Sequence, residues 1–160
     1  MKHVSRNRVM AGVSLAALGF LISPAAAAPQ VIELVQVPCQ FLEVETDHGY
    51  TTTKKADCEA INEKSATDRV AKAKTITLKP GEYIFRVTNK NVPYELGFWL
   101  REKDYNWANP LHKLSKISIS GGGMHTGTTL EYAVTLKPGE YLYSCPLNTT
   151  PDYNLVVTEN

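Results

Sequence analysis

The chain has 160 residues, with 17 Lys and Arg against 16 Asp and Glu, and 43% of its residues are hydrophobic. That length suffices for one compact core and is short for two ordinary domains. The near balance of charge leaves no basic stripe of the kind that attracts nucleic acid.

Lys2, Arg6 and Arg8 precede an apolar run from Val9 to Ile22, and Pro24 and Ala25 to Ala28 follow it. The run is about 14 residues, where a membrane span needs roughly 20, so residues 1–28 read as a secretory signal peptide. Its removal takes away three basic residues and no carboxylate, which leaves 14 minus 16, or −2. The expected location is periplasmic or secreted, with no membrane insertion, and residues 29–160 form the expected single domain. Export implies an oxidising compartment, where disulfides persist. Cys39 and Cys58 lie close in sequence and Cys145 lies far away. A Cys39–Cys58 disulfide with Cys145 left over is the economical pairing; the two other pairings stay open.

Val31 to Val37 reads as an apolar first strand ended by Pro38. Glu43, Glu45, Asp47 and His48 cluster next; they could bind a cation, and a solvated acidic loop is the favoured reading. Residues 51–74 carry the helical character of the mature chain, through Glu59, Ala60, Ile61, Glu63, Ala66 and Val70. One or two short helices are expected there, as an insertion on a sheet protein. From Thr75 onward short apolar runs alternate with turn residues, which argues for an all-β sandwich or barrel.

Leu78-Lys79-Pro80-Gly81-Glu82-Tyr83 recurs as Leu136-Lys137-Pro138-Gly139-Glu140-Tyr141. Pro followed by Gly predicts a type II turn in each copy. The surrounding residues do not repeat, so the copies read as equivalent turns at one end of a single sandwich. After the second turn, Tyr141, Tyr143 and Cys145 share one face of a strand. Tyr94 to Leu100 is a strongly apolar run whose Tyr94, Phe98 and Trp99 are expected to fill the core. Glu102 to Lys116 is a polar excursion with Trp107 and His112. Ile117 to Ser120 reads as a short strand, Gly121 to Gly127 as a glycine-rich loop, and Tyr153 to Thr158 as the closing strand. Asn148-Thr149-Thr150 is formally a glycosylation acceptor.

Three features resemble the cupredoxin family, the exported copper-binding β-sandwiches of bacteria. They are Tyr83 to Asn89 followed by Pro93-Tyr94-Glu95, the Pro-Gly-Glu-Tyr turn leading to Tyr143-Ser144-Cys145-Pro146, and the order of strands between them. Residues 75–158 carry the likeness, which looks closest to cupredoxin-like domains standing alone or in certain iron-uptake proteins. It implies a Greek-key antiparallel β-sandwich of cupredoxin type, and a copper site at Cys145. A blue copper site needs two imidazoles, a thiolate and a weak axial thioether. The resemblance puts the first imidazole at position 94, where this chain has Tyr94. It puts the second in the loop after Cys145, and residues 146–152 contain neither His nor Met. A type 1 site is therefore not expected.

If the resemblance holds, the Asn89–Pro93 loop, the Gly121–Gly127 loop and the end of the cysteine strand gather at one end. Met124 and His125 then become candidate partners of Cys145, since thiolate, thioether and imidazole suit Cu(I). Alternatively Met124 caps the core, His125 is solvated, and Cys145 packs as a small hydrophobe. No Gly-x-Ser-x-Gly elbow or His-Glu-x-x-His pair occurs, so no enzyme is expected. Two functions follow: a copper- or electron-handling protein with an altered site on Cys145, or a metal-free scaffold that engages a periplasmic protein partner.

Overall fold

The computed structural model describes residues 28–159, and the expected signal peptide falls almost wholly outside them. No described helix is long and apolar enough to cross a membrane. The elements run β1 (Gln30–Val37), β2 (Gln40–Phe41), α1 (Lys55–Lys72), β3 (Ile76–Leu78), β4 (Gly81–Asn89), β5 (Leu96–Glu102), α2 (Pro110–Ser115), β6 (Ser118–Met124), β7 (Thr129–Leu136), β8 (Gly139–Ser144) and β9 (Tyr153–Val157).

The strands make two sheets, ordered β2-β1-β4-β7 and β3-β9-β8-β5-β6. Alternation drives the layering: Tyr83, Phe85 and Val87 of β4 face Phe98 and Leu100 of β5, Tyr141 and Tyr143 of β8, and Tyr153 and Leu155 of β9 across one buried core. Fully burying one such side chain is worth about 1.5–3 kcal/mol, so a core of this many rings and branched chains fixes strand register. The expected antiparallel sandwich is present with two parallel pairings in it. β1 runs parallel to β4, and β3 runs parallel to β9. The first is possible because α1 and β3 supply a crossover of the length that parallel neighbours need.

The two repeated segments do form equivalent turns at one end, since Gly81 pairs with Leu136. Tyr83 Oη donates to Lys79 O at 2.7 Å, and Tyr141 Oη donates to Lys137 O at 2.9 Å. Each tyrosine thus closes its own turn from inside the core. Both glycines open the following strand, with φ of 158° and 153°, rather than sitting near the +80° or so of a type II turn.

Three expectations change. Gly121 to Met124 belong to β6 rather than to a loop. The reason is a close approach: a Cβ on Gly97 would stand 2.5 Å from Gly121 O, so the register shift between Leu96 and Phe98 needs bare backbone there. Second, the polar excursion contains a short helix, α2, whose N-cap Asn109 accepts from Leu111 N with Pro110 at the first helical position. Third, Trp99 is not core. It lies on the outer face of β5, with the Arg101 guanidinium 3.8 Å from its ring centroid.

The helical insertion is where expected and is tied down twice. Cys39 and Cys58 are disulfide-bonded, closing a separation of 19 residues, which is worth about 3 kcal/mol on a chain-entropy view. Independently, Arg69 of α1 is 6% exposed and donates to Glu45, Asn62 Oδ1, Cys39 O and Tyr153 Oη. The acidic segment is therefore not simply solvated: the Glu45 side chain is 6% exposed. Arg69, Tyr153 and His48 hold its carboxyl below the usual range, against a burial that works the other way.

Candidate metal centre at the Cys145 end

Opposite the two turns, one asparagine assembles three segments. Asn89, the last residue of β4, is fully buried. Its Nδ2 donates to Val92 O, Tyr94 O and Met124 O at 3.1–3.3 Å, and its Oδ1 accepts from Val92 N at 2.9 Å. Thr126 Oγ1 adds a bond to Val92 O. The Asn89–Pro93 segment and the Met124–Gly127 turn are thereby held together, as the resemblance implied.

Cys145 follows β8 and is fully buried with a free thiol. Its sulfur is not in a bare apolar pocket. Gly97 N donates to Sγ at 3.4 Å and Asn148 N at 3.2 Å. Burial pushes the thiol above its ordinary value, while backbone donors from Gly97, Asn148 and Leu147 and the Gln36 amide act the other way. Hydrogen bonds to the charged form favour it, so this setting opposes burial in stabilising a thiolate.

Two buried amides that sequence reasoning passed over build the setting. Asn148 Nδ2 donates to Val37 O at 2.8 Å and Gln36 Oε1 at 3.4 Å, and its Oδ1 accepts from Cys39 N at 2.9 Å. Gln36 Nε2 donates to Gly97 O at 2.9 Å. Both residues are fully buried. Gln36 had a signal in the sequence, as a polar residue on the same strand face as Leu34. Asn148 was read as part of a glycosylation acceptor; buried and fully engaged, its side chain has no room for a glycan in the folded chain.

The candidate ligands differ in placement. Met124 is fully buried in the same apolar cluster as Cys145. His125 follows it on the exposed turn, where its carbonyl accepts from Thr128 N and Oγ1. Tyr94 is half-buried; its hydroxyl donates to Thr52 Oγ1 at 3.4 Å and lies 3.6 Å from Cys58 Sγ. Burial raises its phenol, and the charges of Asp57 and Cys145 add to that. His112 is elsewhere, accepting from Asn106 N through Nδ1, and His48 pairs with Glu45.

A type 1 copper centre does not fit these residues. At position 94, where the resemblance puts an imidazole, the chain has a phenol turned to Thr52 and Cys58, and the loop after Cys145 offers the inward amide of Asn148 and no imidazole. Among the described residues no group of three or more His, Cys, Asp and Glu side chains is placed to hold a metal ion. What remains is a thiol and a thioether in one buried apolar cluster, with His125 following Met124 on the exposed turn.

No protein-family model matches the chain, and no curated protein does. Among solved structures it is similar to auracyanin B, at 15% identity over 84% of this chain and 93% of that one, with a TM-score of 0.49. It is also similar to reduced rusticyanin, at 12% identity over 82% of this chain and 79% of that one, with a TM-score of 0.42. The fold statement rests on the strands themselves: two mixed sheets in the order given above make a β-sandwich, with Cys145 directly after β8.

Proposed function

We propose that this is an exported cupredoxin-like protein that holds copper as Cu(I) at a site built on Cys145, with Met124 and His125 as further donors. The observation that carries this reading is the pair of backbone N–H groups aimed at a fully buried sulfur, from Gly97 and Asn148. A cysteine kept only for packing has no need of donors, whereas a metal-bound thiolate does. Thiolate and thioether are the ligand types that select Cu(I). Copper would supply the soft Lewis-acid or one-electron chemistry. The chain's own part is to orient the sulfur through Gly97 and Asn148 and to exclude water around Met124.

The test is Cu(I) competition against a chromogenic chelator, with the disulfide intact. Wild type is expected to retain one Cu(I), and Cys145→Ala to bind about a hundredfold more weakly. Because the raised thiol must lose its proton, affinity should climb with pH. Equal retention by wild type and Cys145→Ala sinks the reading.

A second reading has its own observation. Trp107 and Leu111 are 70% exposed and Leu114 is 87% exposed, all on the excursion between β5 and β6. A metal-free scaffold engaging a periplasmic protein through that face would leave Cys145→Ala fully functional.

A further inference from the structure

Between the 42–50 segment and α1 lies a cleft of about 680 Å³, within the range of small-molecule sites. The buried Val44 and Arg69 and the half-buried Tyr50 line its floor. The exposed His48, Lys64, Asp68, Lys72 and Lys74 stand around its mouth. The walls are fixed by the fold. Arg69 is held by Glu45, Asn62 and Tyr153, and Lys74 N donates to Val44 O at 2.8 Å. The His48 and Tyr50 rings stack with centroids 5.3 Å apart, and the Arg69 guanidinium lies 5.3 Å from the Tyr50 centroid. A site built on such supports needs little rearrangement to take a ligand.

The charges of the cleft are spent unequally. Glu45 is occupied by Arg69, Tyr153 and His48, and both Glu43 oxygens accept from Val35 N at 3.0 Å. The lysines paired with carboxylates lie elsewhere, at Lys55, Lys103 and Lys116. Among the described residues, Lys64, Lys72 and Lys74 have no carboxylate within ion-pair reach, so three ammonium groups around one cleft are left for a ligand.

Their spacing narrows the choice of anion. Asp68 sits four residues from both Lys64 and Lys72, so the three share one stripe of α1. Lys64 and Lys72 are about 12 Å apart along the helix axis, and Lys74 lies just past the helix end. A compact dianion such as phosphate, placed midway, meets the Asp68 carboxylate. A ligand that carries one charge at each end does not. We propose that this cleft binds a small dicarboxylate, with one carboxylate on Lys64, the other on Lys72 and Lys74, and a flat apolar middle against the His48–Tyr50 pair. The site shares no residue with the Cys145 end, so it stands or falls apart from the copper reading.

The test titrates benzene-1,4-dicarboxylate into the mature, disulfide-intact protein at low salt and follows the amide NMR spectrum. Saturable shifts are expected in residues 42–50 and 64–74, with a Kd at or below about 1 mM. Inorganic phosphate should bind at least about tenfold more weakly. Lys64→Gln and Lys72→Gln should each weaken the dicarboxylate about fivefold. Lys137→Gln, which removes the same charge at the far turn, should leave it unchanged. Asp68→Asn should narrow the preference for the dicarboxylate over phosphate. No saturable shift by about 10 mM, or shifts centred outside the cleft, overturns the proposal. So does equal binding of phosphate by wild type, a preference that Asp68→Asn leaves intact, or a Lys137→Gln loss as large as that of Lys64→Gln.

Discussion

Replacing Arg69 by alanine removes one side chain and strands several others. Glu45 loses its ionic partner while its side chain is 6% exposed. Cys39 O and Asn62 Oδ1 each lose a donor, and Tyr153 Oη loses one of its two partners, Glu45 being the other. Breaking a buried ion pair from one side costs about 3–5 kcal/mol, because a charge is left desolvated without compensation. For a domain of this size that is a fall in Tm of roughly 10–20 °C. Urea unfolding at neutral pH with the disulfide intact measures it, in wild type, Arg69→Ala, Glu45→Gln and the double variant. The double variant should be less destabilised than the sum of the singles, since it leaves no lone charge. Acid sharpens the test. The folded Glu45 carboxyl is held below its ordinary 4.5, so its contribution is complete above that value and is lost as pH falls through the folded value beneath it. The gap between wild type and Arg69→Ala must therefore narrow in that window. A loss under about 1 kcal/mol at neutral pH, against the few expected for a buried pair, or a gap that does not change with acid, refutes the clamp.

Asn89→Ala should cost at least about 2 kcal/mol in the same unfolding assay, because Val92 N is left buried without an acceptor and three carbonyls lose a donor. A change within error would mean that the Cys145 end is not assembled by this side chain. Gly97→Ala should cost about 1–3 kcal/mol by overpacking, and should speed alkylation of Cys145, because the new Cβ meets Gly121 O and displaces an N–H from the sulfur. Unchanged stability with unchanged alkylation contradicts the close approach of β5 and β6.

Local chemistry explains which parts of this molecule were legible in its sequence. Two Pro-Gly segments, the alternation in β4 and β8 and a cysteine followed by proline were enough for the sandwich and for the end at which Cys145 lies. The Cys39–Cys58 bridge was the economical pairing from sequence separation and the expected compartment, though spacing alone left other pairings open. What failed depended on contacts between distant backbones. A glycine run beside a His reads as a loop until Gly97 is known to press on Gly121, a relation that no local window contains. Asn148 failed for a related reason. Asn-Thr-Thr is polar and signals exposure, but the side chain is buried by partners more than 100 positions away in β1 and its corner. Glu45 was read as part of a solvated acidic loop for the same reason: its partner Arg69 lies 24 residues away. Buried polar groups are hydrogen-bonded almost without exception, so a polar residue on an apolar strand face, such as Gln36, is a usable signal. It marks a position whose partner must come from elsewhere in the fold. Here that partner is Asn148, and through it the first strand, the disulfide and the free thiol become one connected unit. The sequence showed Cys145 alone with Met124 and His125 as its helpers. Its direct polar neighbours are Gly97 and Asn148, so any chemistry of this sulfur is set by backbone donors and a buried amide as much as by the residues that would share a metal with it.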